Sequence, residues 1–148
     1  MRKELIQNFG GFKTSKGDVS KIESLLQIEI PEGLVEFICT YGDCFLNDCY
    51  YEKDEIYVVP NYICGTSNKN PNILALIEGN IFYNNTDYLP FAIDLGGWVF
   101  NISLRDDESY GEVWLNAFDN GEEHSFRFIS KSIKEFLSNL KLVETGEK

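Results

Sequence analysis

Histidine and basic residues are what this chain has least of. His124 is the only histidine among 148 residues, and 13 Lys and Arg stand against 24 Asp and Glu. With so little histidine, the side chain most used for acid–base chemistry and for binding transition metals is nearly absent. The resulting net charge of −11 argues against a nucleic-acid surface, because phosphates need cations to neutralise them. Anionic lipid would be repelled by the same field. No apolar run approaches the ~20 residues needed to span a bilayer. The start, Met1-Arg2-Lys3-Glu4-Leu5, lacks the apolar stretch of a secretory signal. A cytoplasmic protein with neither a nucleic-acid nor a membrane partner is therefore expected. The cysteines Cys39, Cys44, Cys49 and Cys64 include no C-x-x-C pair. That spacing suits reduced thiols, some of them in a core, and not a structural zinc site. No G-x-S-x-G or H-E-x-x-H motif occurs, and neither Gly10-Gly11 nor Gly96-Gly97 continues into a phosphate-binding loop. No catalytic residue, metal ligand or cofactor is assigned. Repeats, low-complexity tracts and Gly/Ser/Pro linkers are also missing.

Aromatic residues, by contrast, are plentiful: 11 Phe, 8 Tyr and 2 Trp. Such content opposes disorder, and the length suits one domain, with its core over about 18–142. The ends read as frayed, at 144–148 and in an opening segment from Phe9-Gly10-Gly11-Phe12 through Lys13–Asp18.

Helical spacing comes first along the chain. Ser20 and Glu23 have capping-box spacing at the head of a helix carrying Ile22, Leu25 and Leu26 on one stripe. Pro31 suits the first turn of a second helix, with Leu34, Phe37, Ile38 and Tyr41 on its apolar face and Gly42 at its end. The connection is short enough to make the two helices neighbours. The period then changes. Cys49–Tyr51 and Ile56–Val59 read as strands around the polar turn Glu52–Glu55. A short helix is predicted from Asn70-Pro71 through Ile77. Leu89–Asp94, Trp98–Leu104, Glu112–Phe118 and Ser125–Ile129 follow as strands with short connections, the signature of antiparallel hairpins. Trp98, Phe100, Ile102 and Leu104 alternate with Val99, Asn101 and Ser103, so one face is strongly apolar. A last helix is predicted from Ser132, with Ile133, Phe136, Leu137 and Leu140 inward. The order gives an α+β fold, an antiparallel β-sheet with helices packed mainly on one side.

In this order the chain resembles the SUKH superfamily (Smi/Knr-like), in its bacterial immunity-protein type. The likeness covers about 18–142. It is carried by Ile22–Pro31, Glu36-Phe37-Ile38 with Tyr41-Gly42, the Leu89–Gly97 element, Gly111–Trp114 and Ser132–Leu137. Two positions depart from the family pattern: Trp98 stands where Asn is common after the glycine turn, and Tyr41-Gly42-Asp43 replaces Asn-Gly-Gly. The resemblance implies a SUKH-like domain without enzymatic activity. It also implies binding to a cognate protein toxin, in many members a nuclease; other members are regulatory or scaffold proteins that bind a cellular protein or peptide.

The candidate partner-binding residues are few. Asp94 either reaches a partner's cation or accepts backbone N–H groups in its turn. Asp106, Asp107 and Glu108, and Asp119 with Glu122 and Glu123, are acidic turns that would either steer a basic surface or simply be solvated; Glu52, Asp54 and Glu55 make a third. Trp98 and Trp114 are either core or binding anchors, and Tyr50, Tyr51 and Tyr57 have the same two readings. The expected function is stoichiometric neutralisation of a toxin, one with a basic surface, through this acidic one. A hydrolase or small-molecule binder would instead need a pocket at Asp94 and His124.

Overall fold

The computed structural model describes residues 3–9, 14–66, 72–78, 87–117 and 126–143. A short 3-10 turn, Lys3–Leu5, leads into β1 (Ile6–Phe9), α1 (Lys16–Leu26), α2 (Glu32–Tyr41), β2 (Cys44–Leu46), β3 (Cys49–Lys53), β4 (Ile56–Val58) and β5 (Pro60–Ile63). Then come α3 (Ile73–Glu78), β6 (Tyr88–Asp94), β7 (Val99–Ser103), β8 (Val113–Asn116), β9 (Phe126–Ser130), α4 (Ile133–Ser138) and β10 (Lys141–Leu142). Seven strands form one sheet in the order β1-β2-β5-β6-β7-β8-β9, and three form a smaller one in the order β10-β3-β4. All the strand pairs are antiparallel. The fold is α+β.

The start of α1 differs from the sequence reading. Ser15 caps the helix: its hydroxyl accepts from the Asp18 N–H at 3.1 Å, and the Asp18 carboxylate accepts from the Ser15 N–H at 2.9 Å. The short Asp carboxylate closes this reciprocal box one turn before the predicted one, leaving Ser20 inside the helix. Glu23 turns elsewhere and accepts from the Ile30 N–H at 2.8 Å, which ties the exit of α1 to the approach of α2. The predicted opening segment also changes: Phe9 ends β1, paired with Cys44, and Lys16–Asp18 already lie in α1. Its residues 10–13 are outside the described ones. Asn72 caps α3, its Oδ1 accepting from Ala75 N–H at 2.8 Å.

Pro31 occupies the N-cap of α2, and Leu34, Val35, Phe37 and Ile38 are buried. Gly42 ends the helix with φ −58°, so a left-handed conformation does not explain it. The close approach of the backbone does: an added Cβ would lie 2.4 Å from the Ile38 carbonyl oxygen and 3.2 Å from Gly65 Cα. The left-handed residue is the next one, Asp43 (φ 69°). Its carboxylate is buried and accepts from the buried Tyr62 hydroxyl. Burial first, then that bond to Asp43, pushes the Tyr62 phenol far above its ordinary value.

The core fills the space between the large sheet and its helices. Phe136 of α4 lies 5.1 Å from Phe100, 6.4 Å from Phe91 and 5.3 Å from Tyr51. Phe37 of α2 meets Phe91 edge-on at 6.2 Å. Tyr51 also joins the two sheets, its hydroxyl donating to the Ile129 carbonyl at 2.8 Å. β7 departs from simple alternation. Val99, Asn101 and Ser103, on the face away from Phe100, are as buried as the apolar row. Among the described residues no helix is long and apolar enough to cross a membrane.

Candidate functional site

Cross-strand register sets the composition of the outer sheet face. Tyr88 pairs with Ser103, Asn101 with Trp114, Val99 with Asn116, Trp114 with Phe128, and Asn116 with Phe126. Directly opposed residues project to the same side of a sheet. Tyr88, Trp114, Phe126 and Phe128 therefore share the face opposite the one on which Phe136 meets Phe100. Their rings touch in series: Tyr88–Phe126 at 5.0 Å, Tyr88–Trp114 at 6.4 Å, and Trp114–Phe128 at 5.7 Å with planes 79° apart. None of the four belongs to the main core cluster. Phe128, on the edge strand β9, is 37% exposed, and Trp114 is half-buried with its indole N–H donating to Glu112 at 3.1 Å. An amphipathic ring fixed in this way, half in contact and half open, suits a binding anchor.

Polar groups lie under the rings. Asn101, Ser103 and Asn116 are fully buried. The Asn101 amide donates to the Val99 carbonyl at 3.1 Å. Its Oδ1 and both polar side-chain atoms of Asn116 have no hydrogen-bond partner among the described residues.

The acidic turn borders this face, and its three carboxylates have different surroundings. Asp107 is engaged within the turn. It accepts from the Ser109 N–H at 2.8 Å, from the Ser109 hydroxyl, and from Arg105 Nε at 2.9 Å. The Ser109 hydroxyl, followed by Arg105, holds the Asp107 carboxyl at about 2. Arg105 also reaches Asp87 at 3.8 Å, and its own value is raised chiefly by Asp107. All three carboxylates are exposed, but Asp106 and Glu108 take no part in this network.

The two tryptophans lie on opposite sides of the sheet. Trp98 precedes β7 in the row of Phe100 and packs partly buried against the main core, whereas Trp114 is on the outer face. Asp94 is 8% exposed, and its Oδ1 accepts from the Gly96 and Trp98 N–H groups, each at 2.9 Å. The carboxylate thus clamps the turn in which Gly97 takes φ 97°. Asp119, Glu122, Glu123 and His124 lie outside the described residues. A cavity of about 220 Å³ lies between α1 and α3, lined by Asp18, Lys21, Leu25, Thr66 and Asn72 among others, with Asp94 not in its wall. Within it Asp18 serves the helix cap, and the Ser15 N–H holds its carboxyl below the ordinary range.

Sequence reasoning missed Tyr88, Phe126 and Phe128. Phe126 and Phe128 are two residues apart on one strand, a visible signal, but their role depends on a register that sets them beside Trp114.

Residues 13–139 match the SMI1/KNR4 family (SUKH-1). No curated protein and no solved structure matches the chain.

Proposed function

From the premise that the chain belongs to the SMI1/KNR4 family (SUKH-1), we propose that it is a cytoplasmic, non-enzymatic immunity protein acting as one domain. It neutralises a cognate bacterial toxin by binding it one to one. The family match carries this reading, and two physical features support it. The first is the ring cluster of Tyr88, Trp114, Phe126 and Phe128, an aromatic surface outside the main core on a face bordered by Asp106 and Glu108. Centrally packed aromatic anchors with a polar rim are what protein interfaces use. The second is the charge of −11, which speeds encounter with a basic partner.

Inhibition is by occlusion. The outer face covers the toxin's active site or its substrate channel, and no cofactor takes part. Against a nuclease toxin, the carboxylates stand where substrate phosphates would stand and meet the same cationic groups. Co-expression with a candidate toxin, should one be encoded beside this chain, tests the proposal. Restored growth and a complex on gel filtration are expected; unchanged toxicity with no complex refutes it.

A further inference from the structure

The small sheet has an aromatic surface of its own, on the side away from the core. Glu52 pairs with Tyr57 across β3 and β4, and Lys141 of β10 pairs with Tyr50. Strand alternation puts Tyr50, Glu52, Tyr57 and Lys141 on this outward side, while Cys49, Tyr51 and Val58 are buried on the other. Lys53 belongs to the inward row, its Nζ 3.9 Å from Glu135. The rings of Tyr50 and Tyr57 are stacked, with centroids 5.5 Å apart and planes 24° apart. Lys141 Nζ stands 6.0 Å from the Tyr50 centroid.

The strand order β10-β3-β4 places Lys141 and Tyr57 on opposite sides of Tyr50. One end of the stack is thus met by the chain's own cation. The other end, Tyr57, is on the edge strand β4 and is 57% exposed. Around it stand the exposed carboxylates of Glu52, directly opposite, and of Asp54 and Glu55 in the adjoining turn. A ring face attracts a cation through its quadrupole, and a neighbouring carboxylate adds a charge-assisted hydrogen bond. A planar guanidinium can stack and donate at the same time, which an ammonium cannot.

We propose that this face is a docking site for an arginine side chain of a protein partner, stacked on the open side of Tyr57 and hydrogen-bonded to Glu52 or Glu55. The proposal rests on the reading of the chain as a protein binder and adds a contact apart from the Trp114 face. It is tested without any toxin, by NMR titration with acetylated tetra-arginine amide, so its failure is distinguishable from the absence of a toxin complex. Saturable shifts are expected at Tyr50, Glu52 and Tyr57. Tyr57→Leu, which keeps every charge, should weaken the peptide about two- to fivefold, and tetra-lysine should bind more weakly than tetra-arginine. Unchanged affinity in Tyr57→Leu, equal affinity for tetra-lysine, or shifts centred on Asp106–Glu108 would each overturn the assignment.

Discussion

Truncating Phe128 to Ala separates a binding role from a packing role. The ring is 37% exposed on the edge strand, and the aromatic contact that fixes it is Trp114 at 5.7 Å, edge-on. An aromatic pair of this kind contributes roughly 0.5–1.5 kcal/mol, and a fully buried Phe→Ala costs roughly 3–5 kcal/mol. With over a third of the residue's surface in water and one ring neighbour among the described residues, the fold should lose about 1–2 kcal/mol. For a chain of 148 residues, an unfolding entropy of ~2.1 cal/mol/K per residue turns that loss into a fall in Tm of roughly 3–6 °C. A binding anchor at the centre of an interface costs about 2 kcal/mol or more when truncated, a weakening of about 30-fold or more. Thermal unfolding and titration of the toxin, measured on the same variant, therefore read different quantities. The expected pattern is a small loss of Tm and a large loss of affinity, mostly in the dissociation rate. Phe128→Tyr, which keeps the ring, should restore most of the affinity. An affinity for Phe128→Ala within about twofold of the parent would refute the assignment of the outer face, because a hot spot is defined by a larger loss.

Three other outcomes follow from particular residues. Gly65→Ala should destabilise by about 2 kcal/mol or more, because the new Cβ would lie 2.6 Å from Thr14 Oγ1 and 3.0 Å from the Asp43 nitrogen. Gly33→Ala in α2, with nothing within 4 Å of its Cβ, should instead stabilise by about 0.5–1 kcal/mol; denaturant unfolding compares them, and equal effects would contradict the geometry. The Asp107 carboxyl, held at about 2 against an ordinary 3.8, should titrate by NMR near that value and move upward in Ser109→Ala. Because the folded value is the lower one, the carboxyl's contribution to stability is present above the ordinary value and is lost as pH falls through the folded one. Burial raises the Cys44 thiol to about 11 and the Cys64 thiol further. At pH ~8 a thiol reagent should therefore modify the half-exposed Cys39 first and reach the buried Cys44, Cys49 and Cys64 only on unfolding; rapid native labelling of Cys44 would contradict this.

The fold was legible where its signals are local, and β1, β2, β5 and β10 were not anticipated. The strands of β6 to β9 follow from β-forming runs between turns, and Pro31 and Ser132 mark helix starts through their own backbone requirements. The start of α1 was misread because Ser15/Asp18 and Ser20/Glu23 have the same spacing. Only the turn of chain that brings Ile30 N–H to Glu23 decides between them. The site was less legible. The acidic turn is visible as a run of letters, yet Asp107 and its neighbours Asp106 and Glu108 differ only once Ser109 and Arg105 fold back onto Asp107. Trp98 and Trp114 had the same two readings, core or anchor, and the strand pairing separates them by sending them to opposite faces. The cluster around Trp114 depends on long-range register, which no single segment encodes.

The central claim is inhibition by stoichiometric binding, and calorimetric titration of the purified toxin with this chain, alongside residual toxin activity, tests it most directly. The account predicts that activity is lost at one chain per toxin, with an affinity that weakens as salt rises and screens the acidic surface. Inactivation of many toxin molecules by one chain would contradict it, because that would be catalysis rather than binding.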